Sequence, residues 1–598
     1  MMTDLPRWRI LLAVVAALLA VAAIAIVAAL VFEISSKVRL GFRIVRPHDV
    51  EGAAQLAAVL CGIFVVSAWR HRVVRHLGIA AMVTMLLVAL TVHAAGAARR
   101  YPFGDHALIE SYTLLAAQGR LFVGPYSRFG WHHPGPLYFW LAAPFYTLAK
   151  YHTGGLAVAV LVINVASIGT IVSIARRFAS APVLVAVLIG LTAYVWRLDG
   201  IFMSLWNPHV PVLPVMALTI VCAAVAAGQA GLIPLAVSFA SFAAQTHVGL
   251  LPYCAAVTGL AIVLHAIGAR GQAEWLDLRT RRILNVSAWL LVLLWSGPLA
   301  EQLSGDPGNL TLLWQFFVAD RERPTVAAAY VAWSNNLGAL FVPDVRLRNN
   351  AFVPSAATWP LVWAAAETLL LIPAIAWLRS TGRRFDAAFA SVVLGGLLVS
   401  LWSVTRIVDT ITEYGIVWIS AIGVLASAAL AGTSILMVAA RTRTARVLPG
   451  ATRTIVLAVC VAALTAKTWT SFAGYQAEAP LPRGQRQARD LYQSVSIFIR
   501  DAHVRKPLLR MRGDTWSATA GVALQLQLAG QDFAVEPGAL ALFTRAFAPD
   551  GREDVEITFL RRPNEEEVQH RLGSVRVAAV GDVYAEAVLL CAAGTPDR

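Results

Sequence analysis

The chain has 598 residues, of which 58% are apolar and only 14% are charged. Its mean hydropathy is +0.66, whereas about a quarter of the residues in a soluble globular chain are charged. This composition excludes a single soluble fold and predicts a membrane protein with many spans. Only five cysteines are present, and four of them lie in apolar runs. A disulfide scaffold is therefore excluded as well.

The net charge is +15, because 49 lysines and arginines stand against 34 aspartates and glutamates. In a soluble protein this excess of positive charge would suggest a nucleic-acid partner. In a membrane protein it is typical of the short cytoplasmic loops, which concentrate Lys and Arg. We therefore expect no nucleic-acid partner.

Apolar runs of about 17 to 25 residues, long enough to cross a bilayer as helices, recur along the chain. About thirteen are predicted, at 10–32, 52–69, 78–98, 155–175, 180–196, 209–227, 231–249, 251–268, 284–302, 357–378, 386–404, 414–438 and 453–471. The first run is long and has no small-residue cleavage site. It therefore reads as a retained helix and not as a signal peptide.

The basic loops predict how the spans are oriented, because cytoplasmic loops collect Lys and Arg. Such loops follow alternate spans, at 70–75, 176–177, 279–282, 379–384 and 441–446, and two arginines precede the first span. A cytoplasmic N-terminus is therefore expected. The pattern requires segment 136–150 to lie flat on the outer surface and not to cross. Loop 33–51 disagrees, since it places four cations outside.

This orientation places all the long polar segments on the outer side of the membrane. We divide the chain into N-terminal spans (1–98), a large outer loop with surface helices (99–154), a bundle with outer loop 303–356 (155–471) and an outer domain (472–598). In the tail, strands are predicted at 506–512, 532–535 and 555–560, and a helix over 516–528 that ends at Gly530. The fold class is thus a polytopic helical membrane protein with a small C-terminal α/β domain.

The stretch 101–112 directly follows the third apolar run and carries Asp105, His106 and Glu110. Asp105 stands at the expected outer mouth of the bundle, after a turn at Pro102 and Gly104. It can serve as a general base that takes a proton from an acceptor hydroxyl. The alternative is structural, because Gly-Asp before a helix is an ordinary helix start.

A second stretch, 124–138, places Arg128, His132 and His133 beside aromatic residues at the membrane surface. Cations at this depth can hold a lipid phosphate, and Arg does so with two hydrogen bonds. The alternative is a rigid loop anchored by interfacial Trp and Tyr. Adjacent histidines rarely face one metal ion, so no metal site is predicted, although a divalent cation remains possible.

Together these stretches resemble the GT-C glycosyltransferases, and within them the protein mannosyltransferase and aminoarabinose transferase (ArnT-like) group. The order is an apolar helix, an acidic residue in the first large outer loop, a His-Pro-x-Pro-Leu-Tyr segment, and later Arg-Arg-Phe. The matching residues are Pro134, Pro136, Leu137, Tyr138, Arg176, Arg177 and Phe178. The resemblance covers about 99–210, and the rest matches only as a many-helix bundle with an outer tail.

The resemblance implies transfer of a sugar from a polyprenyl-phosphate carrier to an acceptor outside the cytoplasmic membrane. It assigns the base to Asp105. Members of the family often have an adjacent acidic pair at this point. Here His106 takes the second position, and Glu110 is the nearest substitute. His133 stands where the family often has a Lys or His that suits the carrier phosphate.

A third constellation, 196–209, contains Asp199 and Asn207, which can contact the sugar. Its alternative is a helix start with Asn207 as N-cap and Pro208 at the first position. Gln245 and His247, at the outer end of another helix, can face the same cavity.

A fourth constellation, 402–414, ends an apolar helix with Arg406 at headgroup depth. Its charge can stabilise the phosphate leaving group. The alternative is an interfacial Arg that extends to the membrane surface and pairs with Asp409.

These observations favour an inverting glycosyltransferase of a bacterial inner membrane, with a cell-envelope glycan, glycolipid or protein as acceptor. The first alternative is a transporter or flippase of lipid-linked glycans. The spans are nearly free of charge, with Glu367 the main exception, whereas transporters usually carry ionisable residues at mid-membrane. The second alternative is a non-catalytic polymer-binding protein.

Overall fold

The computed structural model describes residues 91, 100–198, 200–269, 278–341, 352–442, 450–476, 481–561 and 574–590. Two of the predicted spans (10–32 and 52–69), nearly all of a third (78–98), loop 33–51 and Asp199 lie outside these residues.

The described part of the chain is mostly helical, with one sheet near its C-terminus. The helices are α1 (Asp105–Ala117), α2 (Leu137–Leu148), α3 (Thr153–Phe178), α4 (Ala181–Arg197), α5 (Val212–Ala226), α6 (Ile233–Thr246), α7 (Leu251–Ala269), α8 (Leu278–Ser304), α9 (Asn309–Val318), α10 (Val326–Leu337), α11 (Trp359–Ser380), α12 (Arg384–Val404), α13 (Glu413–Ile416), α14 (Ile419–Arg441), α15 (Gly450–Gln476), α16 (Arg483–Asp501), α17 (Trp516–Leu528) and α18 (Leu540–Phe543). The strands are β1 (Pro507–Met511), β2 (Ala534–Val535), β3 (Val555–Arg561), β4 (Val575–Val580) and β5 (Val583–Leu589).

The protein is a multi-pass membrane protein. Each of the ten apolar runs predicted from residue 155 onward falls on a helix. Seven helices among the described residues are long and apolar enough to cross a bilayer. The other three, α4, α5 and α6, have 17, 15 and 14 residues. The predicted total of thirteen spans is not confirmed.

Helix α5 lies at the centre of the bundle. Val212 to Val225 are buried without exception, and the helix packs against α3, α6, α7 and α12. A helix that is apolar on every side is stable only when it is enclosed by other helices or lipid. This explains why so short a helix shows no amphipathic pattern in the sequence.

A small residue allows α4 and α14 to pack closely. A Cβ atom at Gly432 would stand 2.7 Å from the Cα atom of Val183. Apolar side chains gain little from one another in lipid, so close backbone approach through small residues supplies much of the packing energy.

The C-terminal sheet has the order β2-β1-β3-β5-β4, parallel from β2 to β3 and antiparallel beyond. The three predicted strands correspond to β1, β2 and β3, and α17 begins and ends where it was predicted. Gly530 has φ of 73° just after it. Helix α16 and the strands β4 and β5 were not predicted.

Loop 99–154 and the C-terminal domain share one hydrophobic core. Side chains from α1, α2 and the start of α3 pack in the same cluster as α16, α17 and the sheet. The backbone N–H of Gly104 donates to the carbonyl of Ser517 (2.9 Å), and Ser111 donates to Gln527 (2.6 Å). A continuous core therefore crosses the domain boundaries predicted at 154 and 472. Through this core the C-terminal domain supports loop 99–154.

Candidate functional site

A cavity of about 730 Å³ opens between the start of α1, the loop 126–133, the segment 206–208, the end of α9 and the end of α12. Its walls include Asp105, Arg128, His133, Asn207, His247 and Arg406, all of which were predicted as site residues. These residues come from five separate stretches of the sequence. We call this space the first cavity.

Asp105 is the first residue of α1, and Gly104, with φ of 56°, is the N-cap. The Tyr126 hydroxyl donates a hydrogen bond to Oδ1 of Asp105. Burial raises the pKa of Asp105, while the bond from Tyr126, the nearby His106 and the nearby Trp206 side chain partly oppose this rise. A carboxylate held in this way is a better proton acceptor than an exposed one.

Tyr126 remains a hydrogen-bond donor. Burial raises the pKa of its hydroxyl, and the neighbouring Asp105 carboxylate raises it further. Its ring also packs against Trp516 of the C-terminal domain, with centroids 6.0 Å apart. The C-terminal domain thus supports Tyr126, which orients Asp105.

His133 is a neutral hydrogen-bond donor and not a cation. Its Nδ1 accepts a hydrogen bond from the backbone N–H of Val248 (3.0 Å), so the ring proton is on Nε2. Burial lowers the pKa of His133, and the nearby His247 and His132 lower it further. The ring stacks on His247, with centroids 4.9 Å apart.

His132 and Glu110 are among the predicted residues that do not line the first cavity. Nε2 of His132 lies 3.2 Å from the Tyr112 hydroxyl, and burial, followed by the charge of Arg545, lowers the pKa of His132 to about 4. Glu110 is buried, and it accepts hydrogen bonds from Tyr146 (2.9 Å) and from Thr153 (2.9 Å). Both side chains therefore hold packed elements together. They point away from the first cavity because successive residues of a turn or a helix point in different directions.

Three arginines bring positive charge to the first cavity. Arg128 pairs with Asp409 (3.1 Å), and both side chains are about half exposed. Asp409 therefore pairs with Arg128 and not with Arg406, which lies over the Trp402 ring at 5.3 Å. Arg323 was not predicted as a site residue, and its guanidinium donates to the carbonyl of Phe317 (3.2 Å). Its Nε is buried without a hydrogen-bond partner.

A signal for Arg323 was present in the sequence. The segment 314–323 runs from Trp through two Phe residues to two arginines inside an outer loop. Stretch 124–138, which was predicted as a phosphate-binding site, has the same combination of aromatic and cationic residues. Aromatic rings also form much of the cavity wall, where Trp131 contacts Phe316 at 5.3 Å and Trp206 contacts Tyr414 at 4.9 Å.

The remaining predicted residues do not all line the first cavity. The side-chain N–H of Asn207 reaches the carbonyl of Thr246 (3.4 Å), and both Asn207 and His247 line the first cavity. Gln245 donates to Leu294 (2.8 Å) outside it. His106 faces a different cavity. No three His, Cys, Asp or Glu side chains form a metal-ligand group within the described residues.

The fold matches two solved structures of ArnT from Cupriavidus metallidurans. One is bound to undecaprenyl phosphate, is 14% identical, covers 87% of this chain and 99% of its own, and has a TM-score of 0.47. The other, in the apo state, is 14% identical, covers 86% of this chain and 100% of its own, and has a TM-score of 0.45. No protein-family model and no curated protein matches the sequence.

Proposed function

We propose that this protein is an integral membrane glycosyltransferase of the GT-C type. It transfers a sugar from a polyprenyl-phosphate donor to a cell-envelope acceptor on the outer side of a bacterial inner membrane. One observation carries the proposal: Asp105, hydrogen-bonded by Tyr126, shares a single aromatic-lined cavity with His133, Arg128 and Arg406. A base and a set of phosphate-binding groups are the two requirements of this reaction.

In the proposed reaction Asp105 takes the proton of the acceptor hydroxyl. The hydroxyl oxygen then attacks the anomeric carbon from the face opposite the phosphate, so the sugar configuration inverts. The bond between the anomeric carbon and the phosphate oxygen breaks, and its electron pair stays on the phosphate. Positioned cations stabilise such developing charge.

The cavity divides these tasks between charged and neutral groups. Arg406, Arg128 and Arg323 supply positive charge, whereas the neutral His133 supplies a directed N–H donor. Arg406 is exposed and is held only against the Trp402 ring among its described contacts. Its guanidinium is thus able to turn towards a lipid phosphate, which Arg can bind with two parallel hydrogen bonds.

The direct test uses purified full-length protein and polyprenyl-phosphate mannose or arabinofuranose labelled in the sugar, with envelope extract as the acceptor source. We expect Asp105→Asn to reduce transfer by about 10²- to 10⁴-fold, the usual contribution of a general base. Asp514→Asn, an exposed carboxylate that pairs with Arg561 in the tail, is the matched control. Wild-type transfer by Asp105→Asn would show that Asp105 is not the base.

The same preparations separate the transferase from a flippase. Reconstituted vesicles are loaded with labelled lipid-linked sugar, and its movement across the bilayer is followed alongside transfer. We expect transfer without movement. Movement that continues in Asp105→Asn while no variant transfers sugar would favour the transporter alternative.

A further inference from the structure

Four buried polar atoms that have no hydrogen-bond partner belong to residues lining the first cavity. They are Nε1 of Trp131, Nδ1 of His247, Nε of Arg323 and Oγ of Ser403. Buried polar groups in proteins nearly always have a hydrogen-bond partner. The presence of four such atoms around one cavity therefore points to a ligand with several polar atoms that completes these bonds.

Trp131 and Arg323 approach one another at Phe317, near the end of α9. The ring centroids of Trp131 and Phe317 lie 6.0 Å apart, and the carbonyl of Phe317 accepts the bond from the Arg323 guanidinium (3.2 Å). Trp131 also meets the His133 ring edge-on at 5.5 Å, and only 5% of its surface is exposed. We call Trp131, His133 and Arg323 the N–H wall.

The N–H wall offers hydrogen-bond donors and no acceptors. Trp and Arg side chains have no acceptor atom, and Nδ1 of His133 is occupied by the backbone N–H of Val248 (3.0 Å). A sugar hydroxyl oxygen can accept a hydrogen bond from such a wall. An ammonium group is only a donor, so it would be left there without a partner, and this loss weakens binding.

The charges around the first cavity match a donor whose sugar is uncharged. Among the described residues that line it, together with the aspartate that pairs with Arg128, three arginines stand against two aspartates. These residues are Asp105, Arg128, Arg323, Arg406 and Asp409. Burial lowers the pKa of His247 to about 4 and also lowers the pKa of His133, so both rings are neutral. One positive charge remains, and the single negative charge of a sugar–phosphate–prenyl diester balances it.

The same balance holds after the transfer. The acceptor's proton is then on Asp105, which is neutral, so the residues carry two positive charges. The polyprenyl phosphate, which leaves with the electron pair of the broken bond, carries close to two negative charges at pH 7. A charged group on the sugar would leave one charge unmatched in the bound donor, and unmatched charges are a common means of rejecting the wrong ligand.

We propose that the donor carries an uncharged sugar whose oxygen atoms accept hydrogen bonds from Trp131 and Arg323. This inference rests on the proposed function, because it names the class of sugar that the same site binds. The N–H wall and the charge balance both disfavour an amino sugar, and the charge balance also disfavours an acidic one.

The test compares three polyprenyl-phosphate-linked sugars of one configuration that differ in charge: mannose, mannosamine and mannuronic acid. Each competes with fluorescent polyprenyl phosphate for the full-length protein in neutral detergent at pH 7, without an acceptor. We expect the mannose lipid to bind about tenfold more tightly than either charged lipid, because each of these leaves a buried group unmatched. Equal binding of the three lipids, or tighter binding of a charged one, would overturn the proposal.

Two substitutions test the contacts with the sugar. Trp131→Phe keeps an aromatic ring and removes the N–H, and we expect it to weaken the mannose lipid about 3- to 10-fold while polyprenyl phosphate without a sugar binds as before. Arg323→Gln should reduce the preference for mannose over mannosamine. The matched control is Arg321→Gln, an exposed arginine over the Phe316 ring at 4.4 Å that does not line the cavity.

Melting curves establish that the variants are folded. Equal loss of both lipids in folded Trp131→Phe would assign the N–H wall to the phosphate and overturn the proposal. So would an unchanged preference for mannose in folded Arg323→Gln together with unchanged binding of the mannose lipid by Trp131→Phe.

Failure of this inference can be told apart from failure of the proposed function. If the protein transfers mannosamine as readily as mannose, the transferase stands and the class of sugar is wrong. If no sugar is transferred while the mannose lipid binds best and Trp131→Phe weakens it, the cavity recognises an uncharged lipid-linked sugar without transferring it. That result rejects the proposed function and keeps the class of sugar.

Discussion

Replacing Tyr126 with Phe tests whether Asp105 acts as a base whose acidity is set by its surroundings. The Tyr126 hydroxyl donates directly to Oδ1 of Asp105. A hydrogen bond to a charged group contributes about 1.5–3 kcal/mol. This bond stabilises the carboxylate over the neutral acid, so its loss favours the protonated form by a free energy of that order.

The sign of the pH effect follows from the direction of each contribution. Burial already raises the pKa of Asp105, and the bond from Tyr126 opposes that rise. Tyr126→Phe should therefore raise the pKa further and move the acidic limb of kcat/KM to higher pH. Activity falls as the pH drops through this limb, and it recovers at alkaline pH, where Asp105 is again ionised.

The assay is a pH series of sugar transfer by the wild type, Tyr126→Phe and Tyr330→Phe. Tyr330 loses a comparable bond, to the carbonyl of Leu361 (2.6 Å), away from the first cavity. We expect only Tyr126→Phe to shift the limb. An equal loss of activity at every pH, with the limb unmoved, would refute the reasoning and leave Tyr126 a packing residue.

Three further predictions concern binding and stability. Arg406→Gln should weaken polyprenyl phosphate binding about 10- to 100-fold by thermophoresis, because a charged contact is lost; unchanged affinity would remove Arg406 from the donor site. Asn309→Ala removes the two bonds (2.8 and 2.9 Å) that hold the main chain of His132, each contributing about 0.5–1.5 kcal/mol. It should lower the melting temperature and raise KM for the donor, and a melting curve like the wild type's would contradict this. Gly432→Leu inserts a side chain against Val183 in α4 and should cost at least about 1–3 kcal/mol of packing; the detergent melting curve checks it, with Gly169→Leu, which meets open space, as control.

Most helices were predictable because their causes are local. An apolar run of about twenty residues must satisfy its backbone hydrogen bonds internally in lipid, so it forms a helix whatever surrounds it. The causes of α17 are local as well, because a polar turn precedes this helix and Gly530 adopts positive φ after it. Strands β4 and β5 were missed because β5 joins the sheet by pairing with β3 and β4 joins it by pairing with β5, so neither strand follows from its own sequence alone.

The candidate site was predictable only in part. Asp105 and Arg406 stood out at the ends of apolar runs, Arg128 and His133 stood out beside aromatic residues, and all four line the first cavity. Which of two adjacent candidate residues lines the cavity was less predictable. His132 points to Tyr112 while His133 lines the cavity, because successive residues in an extended loop face opposite ways.

The sequence by itself determined that the chain spans a membrane many times, that a small α/β domain follows the bundle, and that acidic and cationic residues gather in its long polar segments. Composition and local periodicity are sufficient for these conclusions. Only the tertiary structure decided that Asp409 pairs with Arg128, that Arg323 joins the first cavity, and that His106 faces a different cavity from Asp105. These relations depend on which helix faces pack together, and packing is settled by contacts between residues hundreds of positions apart.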